Sequence, residues 1–590
     1  MEYFQSGPSH KGKDNKGKSF LTIEWTNQHG CGGSEDKDTH KLNCNLVLQY
    51  MCEEDVKKSK PDINIKNGYE TQTQKYTKTE HSTKTAKQNR KIDDVSEKRV
   101  IHESWEWYDK CSKRQRNKGL FTADQRLRGQ SSKYTRQNPG GTRYGYECPE
   151  ERDYYPYWHP TDWIDIAVLA HDEKMCDYYQ SESFNVKPKG ECLQKYGDGG
   201  YKHFSVYNQK STCIENNGEW VEFSNYLEES NHLTKAACIA ANRTDAPLFW
   251  GIPYRSHDID KVGKVLKEKC LVALDRPHCE LSPWSRDNHL GNGRDGVPLN
   301  YTWVLPHFPS KKNQRCVFRL RYNITTDDYD PFYTNSSHNQ NLAKMVFSPV
   351  RQNELVDVGA DQTPLRLAIN TAQYGRVFQD RTHVFKLKTR PSEIEDTATI
   401  YNLNVRGKRG NIVQTYPAVE YDFLPNRLNI TEGELVHIQW TGSNTHNNGR
   451  PAGDGQAGDA GEGRAGTDRN NIVEILDPND NYPVPFENAT MFSGAILRWS
   501  SSAQTKNMQD VAVSLASAGY YPCLKSCNNS PKSKTPVLNN LLNNAAASYL
   551  GVMLEFSQGV YHYICSRNNN FSNRSQKGTI KVVKKPSKST

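Results

Sequence analysis

Membrane-spanning and targeting segments are absent from the sequence. No apolar run approaches the roughly eighteen residues that indicate a transmembrane helix. The first residues, MEYFQSGPSHKGK, lack the apolar stretch of a secretory signal. We therefore expect either an intracellular protein or a chain whose natural amino-terminal segment is missing. The odd number of cysteines, 15, favours the second alternative, because a missing leader could carry the partner of one of them.

The motifs of common catalytic and metal centres are also missing. No paired CxxC spacing of a structural zinc site occurs, nor any GxSxG, HExxH or phosphate-binding glycine loop. Glu150, Glu151 and Asp153 could act as an acid and base pair. Arg152 lies among them, however, and a solvated, salt-bridged turn explains the cluster better. These absences favour a protein without catalytic activity.

The composition is polar, with only 35% apolar residues and a mean hydropathy of -0.87. Aromatic residues nevertheless make up 10%, which predicts folded domains diluted by polar insertions. The net charge of +9 arises from 77 basic and 68 acidic residues. Much of the excess lies in one Lys/Thr-rich stretch and the tail KKPSKST, so we expect no nucleic-acid partner.

The cysteines are spread along the chain, as is typical of disulfide-bonded proteins in an oxidising compartment. Nine N-x-S/T sequons accompany them, a number that is compatible with glycosylation without establishing it. The sequon asparagines are Asn242, Asn300, Asn323, Asn335, Asn429, Asn488, Asn528, Asn570 and Asn573. The two patterns together predict an extracellular protein, either secreted or on the cell surface.

The alternation of apolar and polar residues predicts a mainly β protein with two β-sandwich domains and long irregular insertions. Strand patterns at 21–33, 43–52, 300–325 and 384–391 place a disulfide-rich β-sandwich region in residues 1–395. Residues 53–103 are rich in Lys and Thr and lack apolar periodicity, so we expect them to form a disordered insertion.

Residues 396–590 are predicted to form the second domain. In it Val436, Ile438 and Trp440 share one strand face. The Gly-rich stretch 447–470 is expected to be a mobile loop. A helix is predicted at 535–556, ahead of the strands GVYHYIC and GTIKVV.

Two stretches of this second domain resemble cupredoxins. YDFLPNRLNITEGELVHIQWTGSNTH is similar to the early strands that end at the first His ligand, here His446, and GVYHYICSRNNNFSNRSQKGTIKVV is similar to the closing hairpin with its ligand Cys565. Asn570 stands where the second His would be, and Ser575 lies near the Met position. Because a blue-copper site needs two imidazoles and a thiolate, we expect a cupredoxin-like fold with a degenerate, copper-free site.

The cysteine of this hairpin then becomes available for another role. Cys523 and Cys527 are the nearest cysteines in sequence, so we predict a disulfide between one of them and Cys565. His562 cannot replace the missing ligand, because it lies three residues before Cys565 on one strand and therefore points to the opposite face.

An aromatic-rich window at 144–169 and two acidic runs are further candidate sites. Stacked on sugar rings, the aromatic residues could bind carbohydrate; otherwise they pack a loop-rich core. They are Tyr154, Tyr155, Tyr157, Trp158 and Trp163. The acidic runs at 326–330 and 477–481 could supply oxygen ligands to Ca²⁺, although Asp and Asn in such runs more often form turns.

Four stretches resemble the DD-three-three proteins, which are found in social amoebae and marine invertebrates. These stretches are ERDYYPYWHP, SPWSRDNHLGN, LRYNITTDDYD and TIYNLNVRGKRGNIVQTYPAVEYDF, within a resemblance from about Leu21 to Val583. The resemblance implies a secreted or cell-surface protein with a cleaved signal peptide, and members begin upstream of the strand at Leu21. It brings no catalytic residues.

The expected function is therefore a non-enzymatic extracellular glycoprotein that acts in adhesion, carbohydrate binding or matrix assembly. Its partners would be extracellular glycans or matrix proteins, or further copies of itself through exposed strand edges. The alternative is a copper oxidoreductase, either cupredoxin-like or similar to lytic polysaccharide monooxygenases. The stretch LPHFPSKKNQRCVFRLRY somewhat resembles a strand in the sandwich of those monooxygenases. Those enzymes bind copper through an amino-terminal His, which this chain does not show.

Overall fold

The structure is a computed structural model. It describes residues 1–27, 30–31, 43–55, 160–195, 201–202, 207, 209–254, 266–286, 288, 291–325, 345, 354–359, 361–367, 377–405, 413–415, 422–440, 470–503, 505–517, 549–566 and 576–585. Most of the insertion predicted at 53–103 and of the loop predicted at 447–470 lies outside these residues.

The chain forms two compact units, each assembled from separate segments. Unit 1 comprises Met1–Thr26, Val297–Asn313 and Lys386–Thr590, and unit 2 comprises Asn27–Gly296 and Gln314–Phe385. These units are discontinuous in sequence, whereas the predicted division into 1–395 and 396–590 is linear. That division stays a prediction.

Strands dominate the described residues and are numbered in chain order. In this part of the chain the first fifteen are β1 (Glu2–Phe4), β2 (Ser19–Asn27), β3 (Asn43–Glu54), β4 (Ile164–Ala170), β5 (Lys189–Lys195), β6 (Tyr201–Lys202), β7 (Glu219–Phe223), β8 (Leu248–Gly251), β9 (Lys269–Val272), β10 (His278–Leu281), β11 (Leu299–Val304), β12 (Gln314–Thr325), β13 (Glu354–Val356), β14 (Leu365–Leu367) and β15 (Val377–Lys388). The later ones are β16 (Ile400–Val405), β17 (Val413–Thr415), β18 (Phe423–Leu424), β19 (Arg427–Thr431), β20 (Leu435–Trp440), β21 (Val473–Ile475), β22 (Ile496–Ser500), β23 (Tyr549–Glu555), β24 (Gly559–Ile564) and β25 (Lys577–Val583). The predicted mainly β fold is confirmed.

The α-helices are short. They are α1 (Cys176–Glu182), α2 (Lys210–Glu215), α3 (Lys235–Ala240), α4 (Thr490–Ser493) and α5 (Met508–Ser517). Crossing a lipid bilayer takes about twenty apolar residues in a helix. No helix in the described residues meets that requirement.

Unit 1 contains a β-sandwich of two sheets. One sheet has the strand order β11-β2-β16-β20-β23-β22, and the other has the order β19-β25-β24-β21. Apolar side chains of both sheets fill the space between them, including Leu403, Leu428, Ile430, Val436, Ile438, Trp440, Val552, Leu554, Tyr561, Ile580 and Val582. The inward face predicted for β20 is thereby confirmed.

The reverse face of the first sheet carries a second apolar cluster. Phe4, Ile394, Ile400, Leu435 and Met553 are its buried members. Phe4 belongs to β1, which pairs in parallel with the end of β15. The first residues of the chain therefore bury apolar surface on the outside of the sandwich.

Unit 2 is built around a sheet in which β12, β3, β4 and β10 are neighbours in that order. β12 and β3 pair antiparallel along their full lengths, while β10 lies parallel to β4. Every residue of β4 is buried, so both of its faces are covered, and this explains the nearly continuous apolar sequence IDIAVLA. The strands predicted at 43–52 and 300–325 correspond to β3, β11 and β12.

Five disulfides occur among the described residues, and all five lie in unit 2. They are Cys31–Cys44, Cys52–Cys316, Cys176–Cys279, Cys192–Cys213 and Cys238–Cys270. The predicted disulfide bonding of the dispersed cysteines is confirmed for these ten residues.

The helix predicted at 535–556 is wrong over its last part. Residues Tyr549–Glu555 form strand β23, which pairs with β20 on one side and β22 on the other. A central strand is buried on both faces, so its apolar run cannot be distinguished from a buried helix by periodicity. Gly551 adopts φ +116°, which is incompatible with a helix. Residues 535–548 lie outside the described residues.

A chain of buried polar groups crosses the core of unit 2. Arg319 is 1% exposed, and its Nε donates a hydrogen bond to Gln49 Oε1 over 2.9 Å. Gln49 Nε2 donates to Asp165 Oδ1 over 2.7 Å, and Ser183 Oγ donates to Asp165 Oδ2 over 2.5 Å. The Arg319 guanidinium also lies 4.1 Å from the centre of the Trp163 ring. The network therefore connects β12, β3 and β4 through charged and amide groups.

We expect Arg319→Met to lower the free energy of unfolding of unit 2 by about 3 kcal/mol, because it leaves Gln49 and Asp165 without the cation of their buried network. Urea unfolding followed by tryptophan fluorescence measures the loss. Arg276→Met is the matched control, since Arg276 is exposed in the same unit and should change stability by less than about 0.5 kcal/mol. Equal effects of both substitutions would contradict the energetic role of the network.

Candidate functional site

Cys565 directly follows β24 and is buried in the sandwich core of unit 1. Its Sγ donates a hydrogen bond to Asn471 Oδ1 over 3.2 Å. The same oxygen accepts a second hydrogen bond from the backbone N–H of Ser566 at 2.9 Å. Cys565 thus lies where the resemblance to cupredoxins places the metal ligand, at the end of the closing hairpin's first strand.

Asn471 holds three segments of unit 1 together at this point. It is fully buried, and its Nδ2 donates to Ser566 Oγ over 2.8 Å and to the carbonyl of Ala516 over 3.2 Å. Ala516 belongs to α5, and Asn471 itself lies just before β21. The amide therefore links the end of β24, the last turn of α5 and the start of β21.

The described residues do not supply a set of copper ligands around Cys565. His446 and Asn570 lie outside the described residues. His562 faces away from the sandwich core, as predicted, with Nδ1 2.9 Å from Thr579 Oγ1. The described part of the chain holds no group of three or more His, Cys, Asp or Glu side chains placed to bind a metal ion. We derive no copper chemistry from this arrangement, and the expected absence of copper stays a prediction.

The predicted disulfide of Cys565 also stays a prediction. Both proposed partners, Cys523 and Cys527, lie outside the described residues. What the structure describes at Cys565 is the contact of its sulfur with Asn471.

The aromatic window is described at one of its five residues. Trp163 precedes β4, is only 3% exposed and packs against the Arg319 guanidinium. The ring is therefore buried and in contact with a protein cation, and carbohydrate binding by this window stays a prediction. The other four residues, Tyr154, Tyr155, Tyr157 and Trp158, lie outside the described residues.

Five of the nine sequon asparagines are described. Four of them, Asn242, Asn300, Asn429 and Asn488, are exposed, and Asn323 is half-buried. Asn335, Asn528, Asn570 and Asn573 lie outside the described residues. Four positions are therefore exposed, although at Asn242 the side-chain oxygen accepts a hydrogen bond from the N–H of Leu248 over 2.8 Å.

The acidic run at 477–481 uses its carboxylates to hold its own backbone. Asp477 Oδ1 accepts from the N–H of Asn479 over 2.8 Å, and Asp480 Oδ2 accepts from the N–H of Asp477 over 3.1 Å. These contacts are typical of turns in which Asp bonds to nearby N–H groups. The run at 326–330 lies outside the described residues, so calcium binding stays a prediction.

A pair of partly buried carboxyl groups in unit 1 escaped the sequence analysis. Glu24 on β2 lies opposite Asn300 of β11, and burial together with the nearby Asp422 carboxylate raises the pKa of Glu24 to about 8. Burial also raises the pKa of Asp422, although Asp422 Oδ1 accepts a hydrogen bond from the N–H of Phe423 over 2.7 Å. Glu24 is therefore mostly protonated at neutral pH. No local pattern indicates the pair, because the two residues are far apart in sequence.

A buried histidine lies on the reverse face of the same sheet. His437 is 1% exposed, and its Nδ1 lies 3.0 Å from Asn402 Oδ1. Burial, with a smaller effect from Lys388, lowers the pKa of His437 to about 3, so the ring is neutral. The same Nδ1 also lies 3.3 Å from Gln439 Nε2, so the ring has polar contacts with both β16 and its own strand. The ring of His437 therefore has a structural role: it bonds to Asn402 of β16 and packs against Phe4 of β1.

A disulfide-bonded β unit, together with a β-sandwich unit whose closing hairpin ends at a buried cysteine, defines the class of protein. Models of two parts of one family match the chain: the DD3-3 N-terminal domain matches residues 7–387, and the DD3-3 cupredoxin-like domain matches residues 398–582. The chain therefore belongs to the DD3-3 family, and its carboxy-terminal domain is cupredoxin-like. Neither curated proteins nor solved structures show a significant similarity to it.

We expect the carboxyl pair to make unit 1 less stable as pH rises. The pKa of Glu24 is raised from 4.5 to about 8, so the folded state binds more protons than the unfolded state between these values. The free energy of unfolding should fall through this range by up to about 1.4 kcal/mol per pH unit from this group. Thermal unfolding of Glu24→Gln between pH 5 and 9 should show a flatter profile, with a gain in stability at the alkaline end.

The exposed Glu432 of the same unit provides the control. Glu432→Gln should leave the slope of the wild-type profile unchanged. If Glu24→Gln and wild type keep parallel profiles, the proton on Glu24 is not linked to folding.

Proposed function

We propose that this protein is a secreted or cell-surface glycoprotein that acts by binding or assembly outside the cell and has no catalytic activity. Adhesion, carbohydrate binding and matrix assembly are the activities that we consider. The observation that carries the proposal is the way in which disulfides hold the short helices of unit 2.

Each α-helix of unit 2 among the described residues is joined to a strand by a disulfide. Cys176 joins α1 to Cys279 of β10, Cys213 joins α2 to β5, and Cys238 joins α3 to β9. These helices have only six or seven residues, whereas an isolated helix shorter than about 12 residues is marginal in water. The covalent links therefore support a fold that matures in an oxidising compartment.

The exposed sequons support the same location. Asn242 in unit 2 and Asn300, Asn429 and Asn488 in unit 1 are exposed, so glycans at these positions would not disturb either core. N-linked glycans are attached in the secretory pathway, which is also where disulfides form.

The buried polar groups of unit 1 support a role without catalysis. The Glu474 carboxylate, for example, accepts from the N–H and Oγ1 of Thr490 and from the N–H of Met491 at 2.6–2.9 Å. Asn471 and Asn402 likewise bond to neighbouring strands or helices. A binding or structural function needs such a rigid framework, and its specificity would lie in the loops.

Reduction should affect the two units differently. We expect dithiothreitol to lower the stability of unit 2 by about 3 kcal/mol or more for each long loop that is opened, because the disulfides restrict its unfolded chain. Limited proteolysis with mass spectrometry should then show cleavage within 160–195 and 209–254 before cleavage within 470–503. Simultaneous loss of both regions would contradict a specific dependence of unit 2 on its disulfides.

The proposal as a whole is tested on protein followed and isolated in its native source. Peptide mapping without reduction should recover the five disulfides, and pull-down on chitin, cellulose or mucin with electron microscopy should show binding or self-assembly. Protein that is retained in the cytosol with reduced cysteines would overturn the extracellular role. Stoichiometric copper together with turnover would overturn the non-enzymatic role and restore the copper oxidoreductase.

A further inference from the structure

One sequon of unit 1 combines an exposed asparagine with an exposed aromatic ring. Phe486, Glu487 and Asn488 form a single 3₁₀ turn, and the sequon continues to Thr490. Phe486 is 42% exposed, which is high for a phenylalanine, and Asn488 is also exposed. Two residues apart, their Cα atoms lie within about 7 Å of each other.

The turn that carries both side chains is fixed by hydrogen bonds. The N–H of Asn488 donates to the carbonyl of Pro485 over 2.9 Å, and the N–H of Ala489 donates to the carbonyl of Phe486 over 3.0 Å. Ala489 is buried, and Thr490 is bonded through its N–H and hydroxyl to the buried Glu474. Phe486 and Asn488 are therefore exposed on a turn that is held against the core, with their side chains about a third of a turn apart.

We infer that Asn488 carries an N-linked glycan whose first sugar packs on the ring of Phe486. An aromatic face is electron-rich and attracts the polarised C–H groups of a pyranose ring. The sugar would also cover apolar surface that is otherwise exposed, at about 25 cal/mol per Å². The inference rests on the proposed secretory location. It adds that the glycan at one particular sequon stabilises the fold.

The chemistry is a transfer of a preassembled oligosaccharide. Asn488 Nδ2 forms a bond to C1 of the first N-acetylglucosamine of a lipid-diphosphate-linked oligosaccharide. The bond between C1 and the diphosphate oxygen breaks, the lipid diphosphate leaves with the electron pair, and the amide loses one proton. Because the Thr490 hydroxyl that completes the sequon is bonded to Glu474 in the folded protein, we place the transfer before this turn packs.

The other described sequons lack this neighbour. The residues two positions before their asparagines are Ala240, Pro298, Arg321 and Arg427. Asn429, which follows Arg427 on β19 and is exposed in the same unit, is therefore a matched control. In the sequence, Tyr333 and Phe571 stand in the same relation to Asn335 and Asn573, which lie outside the described residues.

The test compares four secreted proteins: wild type, Phe486→Ala, Asn488→Gln and the double variant. Glycopeptide mass spectrometry should find Asn488 occupied in the first two. With Phe486 present, Asn488→Gln should lower the melting temperature by about 2 °C, whereas in the Phe486→Ala background it should lower it by less than about 0.5 °C. Trimming all glycans to the first sugar should preserve the difference, because the contact involves that sugar.

Two controls distinguish the effect of the contact between sugar and ring from the effect of the amino-acid substitutions themselves. Asn429→Gln should shift the melting temperature equally in both backgrounds. The same four proteins made in cells without the transferase, refolded with their disulfides, should show no dependence of the Asn488→Gln effect on Phe486.

Each alternative result has a distinct meaning. If other sequons are occupied and Asn488 is not, or if the Asn488→Gln effect is equal in both backgrounds, the inference is overturned while the proposed function stands. If no sequon is occupied and the cysteines are reduced, the proposed function fails as well.

Discussion

The sandwich of unit 1 depends on the register of the parallel pair β16 and β20. In this register Asn402 lies beside His437 and Leu403 beside Ile438. Leu403 and Ile438 then point into the sandwich core, while Asn402 and His437 meet on the reverse face. A slip of one residue would exchange the two faces and bury the polar pair in the apolar core. The hydrogen bond between Asn402 and His437 therefore specifies the pairing as well as stabilising it.

The same strands bring the amino terminus of the chain into unit 1. Asn402 Nδ2 donates to the carbonyl of Phe20 on β2 over 2.8 Å, and Gln439 Oε1 accepts from the N–H of Glu2 over 2.9 Å. Phe4 then packs against the His437 ring with centroids 5.0 Å apart. These amides bond to the backbone of both amino-terminal strands: β2 is a member of the first sandwich sheet, and β1 packs against its reverse face. This long-range pairing explains why unit 1 is discontinuous.

The strands that can be predicted from the sequence are those with one face in the apolar core and a more polar face on the other side. The alternation around Val436 in β20 and the opposite orientation of His562 and Cys565 are of this kind. The prediction fails at β23, where burial on both faces removes the alternation. The residues of the candidate site are likewise predictable only where a local sequence pattern marks them. The end of the closing hairpin can be located by its local pattern, whereas the pairing of Glu24 with Asp422 arises only from the tertiary fold.

The loop that follows β21 shows how the core can support a surface function. Glu474 fixes the start of α4 through its carboxylate, and its carbonyl accepts from the N–H of Val484 over 3.0 Å. Lys577 Nζ donates to the carbonyl of Pro478 over 2.6 Å, so β25 holds the loop from another side. Between these anchors Tyr482 is 84% exposed. Because the backbone is already ordered, a ligand that contacts this loop would not bear the entropy cost of fixing it. Rigidity in the core and recognition at the surface are thus properties of the same hydrogen-bonded framework.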